Sequence, residues 1–446
     1  MGRKQNAKLN KKVKTKLQAP RGMSDILPSD WIVYQWLLEK SRKVLEYYGF
    51  ERIETPIVEK ADVFLRGAGK GSEVANKEMY IFKTKGSSEI LSLRPEGTSA
   101  ICRAYLENGL FNQPQPVKLY YFGPFFRHER PQAGRYRQFY QLGFEAIGGS
   151  HPVLDAQLIL IGKAVLKELG FKDKEIQIYL NSIGCSKCRK NYLKVLKSYY
   201  RNNLKKVCGD CRIRYKKNPL RLLDCKSLKC QEIKKKAPAI IDFLCSECLN
   251  HFRQVLNYLD FLKIDYYLDK TLVRGFDYYT KTVIEINVED NDKGLSIGGG
   301  GRYDDLIKIL GDLDKPGVGM AFGVERIIEI LKRRKLKINA EKPEIFLIQI
   351  GPQAKEEALR LLEIFRKNNI SVMENLSKDN LKDQLKLADK LGIKYCLILG
   401  QQEVNEGMII FKDMISGIQE NLPLDRVEME VKKRLQEKVV VKENIT

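Results

Sequence analysis

Apolar positions along the chain follow three rhythms in turn. The first stretch mixes helix and strand. Pro28-Ser29-Asp30 opens a helix whose stripe is Tyr34, Leu37, Leu38, Leu45 and Tyr48, and Gly49 closes it. Phe50 to Val58 reads as a strand carrying Pro56. Leu91 to Thr98 reads as a strand running into a turn shaped by Pro95 and Gly97. Val153 to Leu169 has helical spacing and stops at Gly170, and Ile176, Ile178 and Leu180 alternate as a strand. At Asn181 the rhythm gives way to lysines and cysteines until about Asp260. Strand alternation returns at Ile264 to Leu268 and at Thr282, Ile284, Ile286 and Val288. Gly317 to Leu331 is a glycine-interrupted strand followed by a helix. Beyond the basic stretch Lys332 to Lys337 the third rhythm is βαβα. It has strands at Ile345–Ile350, Ser371–Met373, Tyr395–Leu399 and Met408–Phe411, a helical stripe Ala354, Ala358, Leu361 and Phe365, and a helix at Lys378–Lys390.

This pattern divides the chain into a basic arm (1–16), an α+β segment (17–180), a cysteine-rich basic insertion (181–270), the resumption of the α+β segment (271–338) and a separate α/β domain (343–430). A length of 446 residues suits about three domains. With 43% hydrophobic and 30% charged residues the chain reads as globular, and no apolar run approaches the roughly 18 residues of a membrane span. The N-terminus is basic without an apolar h-region, so a cytoplasmic protein without a membrane role is expected.

Charge changes the picture more than composition does. Residues 1–21 hold eight Lys or Arg and no acid, and residues 185–240 hold eighteen against three acids, a net of +15. Together they account for the whole excess of +23. Two concentrated basic segments suit a polyanion such as nucleic acid, the alternative being a solvated lysine-rich surface. The arm 1–16 is expected to be disordered.

The densest chemistry lies in Phe126–Glu145, FRHERPQAGRYRQFYQLGFE, read as two antiparallel strands around a loop at Pro131 to Gly134. Arg127 and Glu129 share one face, and Phe139, Gln141, Gly143 and Glu145 share another strand's face. Buried guanidiniums without partners are costly, so these residues point to anion binding, with a solvated salt-bridged hairpin as the alternative. Further on, LVRGFDYYTKTVIE (Leu272–Glu285) puts Arg274 at a flexible turn. Gly298–Gly301 either admits a close ligand or makes a tight strand-to-helix turn. Of ten cysteines, Cys102 and Cys396 are expected in the core. The others form Cys185-x-x-Cys188, Cys208-x-x-Cys211, Cys225-x₄-Cys230 and Cys245-x-x-Cys248, which favours structural zinc over disulfides, with reduced thiols as the alternative. Spacing leaves the pairing open. His251 is a further candidate ligand or a surface histidine.

Together, LSLRPEGT (Leu91–Thr98), FRHER…RYRQF with QLGFE, LVRGFDYY, GGGGRYDDL (Gly298–Leu306) and Gly323-Val324-Glu325-Arg326 resemble, in order, the signatures of the histidyl-tRNA synthetase family of class II aminoacyl-tRNA synthetases. The resemblance spans roughly residues 17–430. The family has Leu where this chain has Phe276.

What the resemblance implies is an α+β catalytic core, an antiparallel sheet flanked by helices over 17–180 and 271–338. The cysteine-rich insertion interrupts it, an anticodon-binding α/β domain follows at 343–430, and the helix–strand unit after Pro28 forms a homodimer interface. It implies ATP-dependent formation of histidyl-adenylate and transfer to the 3′ end of histidine tRNA, with ATP as substrate and magnesium beside it. Arg127 and Arg274 would be catalytic at the α-phosphate. Histidine would be held by Glu96, Gly97, Thr98, Arg127, Gln141, Glu145, Arg274, Tyr278, Tyr279 and Tyr303, ATP by Arg127, Glu129, Phe139 and Arg326, and the acceptor end of the tRNA by Arg130 and Gln132. Leaving buried polar groups unpaired against a wrong side chain discriminates by up to roughly 10⁴, so no editing domain is required. Two alternatives, a non-catalytic regulatory paralogue of histidine biosynthesis and an RNA-binding protein on a dead scaffold, sit poorly with the retained Arg127, Arg274, Arg326 and residues 343–430.

Overall fold

The computed structural model describes residues 17–69, 72, 74–129, 134–290, 293–336, 338 and 343–443. The expected arm at 1–16 lies outside them. The chain divides after Ile338 into two units.

The first unit is built on an eight-stranded sheet. Its order is Glu51–Arg52, Val117–Phe126, Gln138–Ile147, Gly317–Gly323, Lys293–Arg302, Thr280–Asp290, Ile176–Ser182 and Tyr267–Leu268. The six inner strands are antiparallel as expected, but each two-residue edge strand runs parallel to its neighbour, so the sheet is mixed at its margins. A parallel neighbour requires a long crossover. Between Ser182 and Tyr267 that crossover is the cysteine-rich segment, which is helical (Ser186–Arg201, Gly209–Lys217, Leu228–Lys235, Ser246–Phe261). Asn181, Ser182, Tyr267 and Leu268, inside the expected insertion 181–270, therefore belong to the sheet.

Alternation along the strands decides which side is core. Leu142, Phe144 and Ala146 face one way, with Tyr120, Ile284, Ile286, Met320 and Phe322. They are sealed by apolar residues of the helices Pro28–Tyr47, Val153–Glu168, Ser246–Phe261 and Val324–Arg333. The intervening residues, among them Phe139, Gln141, Gly143 and Glu145, face the opposite side. Beneath the helical layer lies one buried polar network. Arg302 and Asp155 are both fully buried, with Arg302 Nε 3.0 Å from an Asp155 oxygen and Arg302 Nη1 3.1 Å from Asp304. His251 is itself buried and meets Asp155 at 3.3 Å, so it is neither a surface histidine nor a member of a cysteine set.

Three local expectations shift. Phe50–Val58 is not one strand: Glu51–Arg52 joins the large sheet. Val58–Lys60 joins a separate three-stranded sheet with Ile90–Leu93 and Ile81–Lys83, and Pro56 lies in the change of direction. Ile264–Leu268 shortens to Tyr267–Leu268. Gly298–Gly301 is no turn, but lies within the second half of the strand Lys293–Arg302.

The second unit is a five-stranded sheet in the order Val372–Glu374, Ile345–Gln349, Tyr395–Leu399, Met408–Asp413 and Gln419–Pro423. The first three strands are parallel and the last two antiparallel. The stripe Ala354, Ala358, Leu361 and Phe365 is buried as spaced. The second helix begins at Leu381 rather than Lys378, because the Asn380 side chain caps it by accepting from Asp383 N at 3.2 Å. Cys102 and Cys396 are fully buried, as expected.

Candidate active site

Residues from five strands of the large sheet, with the loops and helix ends beside them, enclose a cleft of about 480 Å³ on its polar face, a volume suited to a small ligand. Arg127 follows the strand Val117–Phe126, its N–H continuing the ladder to Arg137 O at 2.9 Å. Its Nε donates to Pro95 O at 2.9 Å, which fixes the fork. The guanidinium carbon stands 5.3 Å from the centre of the Phe139 ring and 5.5 Å from that of Phe276. The Phe276 ring also stacks on Tyr278 at 5.2 Å and 8°.

Arg274 enters from the opposite wall. Its guanidinium is 3.8 Å from Glu285 and 5.8 Å from the Tyr279 ring centre. Its Nε is buried and, among the described residues, has no hydrogen-bond partner; the same holds for Gln141 Oε1. Buried polar atoms without partners are rare, and two around one cleft suit a ligand that would satisfy them. A Cβ at Gly299 would meet Arg274 Nη1 at 2.6 Å, so the glycine run leaves room for this guanidinium. Arg326, at the start of the helix Val324–Arg333, completes the trio: Nε donates to Gly134 O at 2.9 Å and Nη1 to Ser296 O at 2.6 Å.

The floor is polar and buried. Glu145 accepts from Thr98 Oγ1 and from the Tyr303 hydroxyl, both at 2.7 Å. A Cβ at Gly319, on the neighbouring strand, would strike Glu145 Oε2 at 1.5 Å. Glu96 spends its carboxylate on the start of the helix Thr98–Glu107, accepting from Thr98 N at 2.6 Å and Ser99 N at 2.9 Å, with the Tyr278 hydroxyl 3.5 Å away. Burial raises its pKa, against those hydrogen bonds and Arg127. Glu145 is pushed up to about 8 by burial, with the Tyr303 and Thr98 hydroxyls opposing and Glu96 adding to the rise.

A carboxyl whose folded-state pKa lies above its ordinary 4.5 contributes stability that is complete below 4.5 and lost as the pH rises through about 8. Glu145→Gln should therefore flatten the fall in melting temperature of the substrate-free protein between pH 5 and pH 8. An unchanged slope would remove Glu145 from that role.

Of the expected site residues, Glu96, Thr98, Arg127, Glu129, Phe139, Gln141, Arg274, Tyr278, Tyr279 and Arg326 line the cleft. Glu145 and Tyr303 form the layer behind it, and Gly97 lies against Tyr121, whose ring a Cβ there would meet at 2.3 Å. Arg130 and Gln132 lie outside the described residues. Several lining groups escaped the sequence reading. Glu285 faces Arg274 and Arg135 pairs with Glu129 at 3.2 Å. Arg214, Arg221 and Lys226 reach the cleft from the cysteine-rich module. Glu285 had a signal, a charge among the apolar residues of its strand, whereas the module's residues had none.

The eight module cysteines gather in two sets, Cys185, Cys188, Cys245, Cys248 and Cys208, Cys211, Cys225, Cys230, with the sulfurs of each set within 4.8 Å of one another. Cys185 and Cys188 stand 3.6 Å apart and Cys208 and Cys225 3.7 Å apart. Four thiolates at zinc–sulfur distance in a tetrahedron would stand about 3.8 Å apart, and a disulfide would need about 2 Å. All eight are free thiols. The N–H groups of Cys245 and Cys208 donate to Cys188 Sγ and Cys230 Sγ at 3.1 and 3.2 Å, contacts that fix where those sulfurs stand. The donor set thus fits zinc.

Residues 22–327 match the family model described as histidyl-tRNA synthetase, and residues 344–434 match that of an anticodon binding domain. A histidine–tRNA ligase of Halothermothrix orenii is 41% identical over 94% of this chain and 99% of its own length. One from Pelotomaculum thermopropionicum is 43% identical over 92% and 96%. The apo crystal structure of the S. aureus histidyl-tRNA synthetase superposes with a TM-score of 0.76 at 34% identity, covering 93% of this chain and 99% of that one.

Proposed function

Because the chain belongs to the histidyl-tRNA synthetase family and joins histidine to tRNA at the expense of ATP, we propose that both steps run in the cleft between Arg127 and Arg274. The observation that carries this is the convergence of three guanidiniums from separate elements over a buried Glu145–Tyr303 floor. The histidine carboxylate attacks the α-phosphorus of ATP, a P–O bond forms, and the bond to the β-phosphate oxygen breaks to release pyrophosphate. The carboxylate is already ionised, so no general base is needed. Charge gathers on the α-phosphate oxygens, where Arg127 and Arg274 stabilise it, while Arg326 holds the far phosphates. Phe139, faced by Arg127, supplies the adenine platform, and Glu129 accepts from the exocyclic amine. Glu96 and Thr98 hold the ammonium end, and Gln141, Glu145, Tyr278, Tyr279 and Tyr303 read the imidazole. Magnesium bound with ATP would supply further positive charge beside the phosphates that Arg326 holds.

The adenylate then passes to the 3′ end of the tRNA, met by Arg130 and Gln132. Residues 343–430 bind the anticodon. The eight cysteines hold two structural zinc ions. The protein is placed in the cytoplasm as a homodimer, and the pairing is supported by the three-stranded sheet, where Val58, Ile81 and Ile90, with the adjacent Ile57, are 42–48% exposed. No helix among the described residues is long and apolar enough to cross a membrane. Neither alternative reading is favoured, since the arginines they would lose are present.

Labelled pyrophosphate should exchange into ATP with histidine and with none of the other nineteen amino acids; no exchange from folded protein would overturn the reading. The module's charge is assigned to the tRNA. Neutralising the exposed Lys216, Lys217, Lys235 and Lys236 should leave exchange intact and weaken tRNA binding. The log–log salt slope should fall by roughly 0.7–0.9 per lost phosphate contact, and an unaltered slope would refute that assignment.

A further inference from the structure

Asp277 sits between Phe276, whose ring faces Arg127, and Tyr278, whose hydroxyl reaches Glu96. It is thus the hinge of the wall that carries Arg274, Tyr278 and Tyr279. Both cysteine sets reach this hinge. Arg189, next to Cys188 in the first set, donates Nη1 to the carbonyls of Asp277 and Tyr279 at 3.1 and 3.0 Å. Asn218, which ends the helix Gly209–Lys217, donates Nδ2 to Asp277 Oδ1 at 2.7 Å. That helix starts at Cys208 and carries Cys211, so its N-terminus belongs to the second set. Asp277 N also donates to Ala68 O at 3.1 Å.

We propose that Asp277 is a positioning residue through which the two metal knuckles together set the histidine-binding wall, so that the ions govern histidine affinity without touching substrate. This rests on the reading that the eight cysteines hold two zinc ions. A nine-residue helix is too short to hold its shape alone, and four neighbouring thiolates repel one another unless a cation joins them. Without the ion, Asn218 loses its fixed place and Asp277 loses a charge-assisted hydrogen bond. Misplacement of a binding group by about 1 Å costs up to about 10² in rate.

The test uses the intact, metal-replete protein. Zinc is counted per chain by atomic emission, and the histidine and ATP KM values are measured by pyrophosphate exchange for the natural chain, Asn218→Ala, Asp277→Ala and Asp277→Asn. Histidine affinity is also followed by calorimetry as a mercurial reagent displaces the metal, with circular dichroism reporting the fold. Expected are two zinc ions per chain and a histidine KM raised about tenfold in Asn218→Ala and Asp277→Ala, with the ATP KM within about twofold. Asp277→Asn, which still accepts from Asn218, should recover most of the affinity. Metal displacement should weaken histidine binding by a similar factor in a chain that stays folded. Two zinc ions with an unmoved histidine KM would overturn the inference and leave the zinc reading standing. A fully active, metal-free chain would overturn the zinc reading and this inference with it. Equal rises in both KM values, or no recovery in Asp277→Asn, would reduce Asp277 to a folding role and overturn it.

Discussion

Alanine in place of Arg274 is expected to lower the rate of histidine-dependent pyrophosphate exchange about 10²–10³-fold while leaving the melting temperature nearly unchanged. The two halves of this expectation share a cause. The guanidinium stands 3.8 Å from Glu285, its Nε is buried without a partner among the described residues, and Gly299 leaves space for it. It therefore gives little to the folded state and is placed to meet charge that develops only in the transition state. Removing such a group lowers kcat and kcat/KM together rather than raising KM alone. Lysine at 274 restores a positive charge without the planar fork, so recovery should be partial. Single-turnover adenylate formation checks this directly. A variant within about threefold of the natural chain would show that Arg127 and Arg326 suffice and that Arg274 is a structural partner of Glu285.

The second large effect concerns stability. Asp155→Ala is expected to cost about 3–5 kcal/mol in denaturant unfolding, because it leaves the fully buried Arg302 without its main counter-ion. Burial alone would raise the Asp155 pKa, but Arg302 and His251 overcome it and bring it down to about 2. A depressed carboxyl contributes stability that is present above its ordinary 3.8 and lost as the pH falls through about 2. The natural chain should thus lose an acid-labile component that Asp155→Ala lacks. Replacing the pair together, Asp155→Leu with Arg302→Met, should recover part of the loss, since well-packed apolar groups can substitute for a buried ion pair. A cost below about 1 kcal/mol for Asp155→Ala would mean that Asp304 alone satisfies Arg302.

Local chemistry made much of this protein legible from its residues. The helical stripe Ala354, Ala358, Leu361 and Phe365, the strand Tyr395–Leu399 and the alternation Thr282 to Val288 all stand where their spacing put them, because burial of one face is a local periodic demand. The shared face of Phe139, Gln141, Gly143 and Glu145 followed from a period of two. The motif order gave the family, the reaction and most of the cleft.

Tertiary structure alone decided what depends on which elements meet. The pairing of four cysteine motifs into two sets required the helices of the module to fold back on themselves, and spacing is equally compatible with other pairings. His251 is internal because Asp155, 96 residues away, waits beneath the sheet. Gly298–Gly301 could have been a turn until Gly317–Gly323 and Thr280–Asp290 closed on either side of it. Asp277 read as one acid in a motif, and only the folded module brings Arg189 and Asn218 to it. A sequence records what each residue can do within a few bonds of itself. Contacts across 59 or 88 residues exist only once the sheet has set the distances.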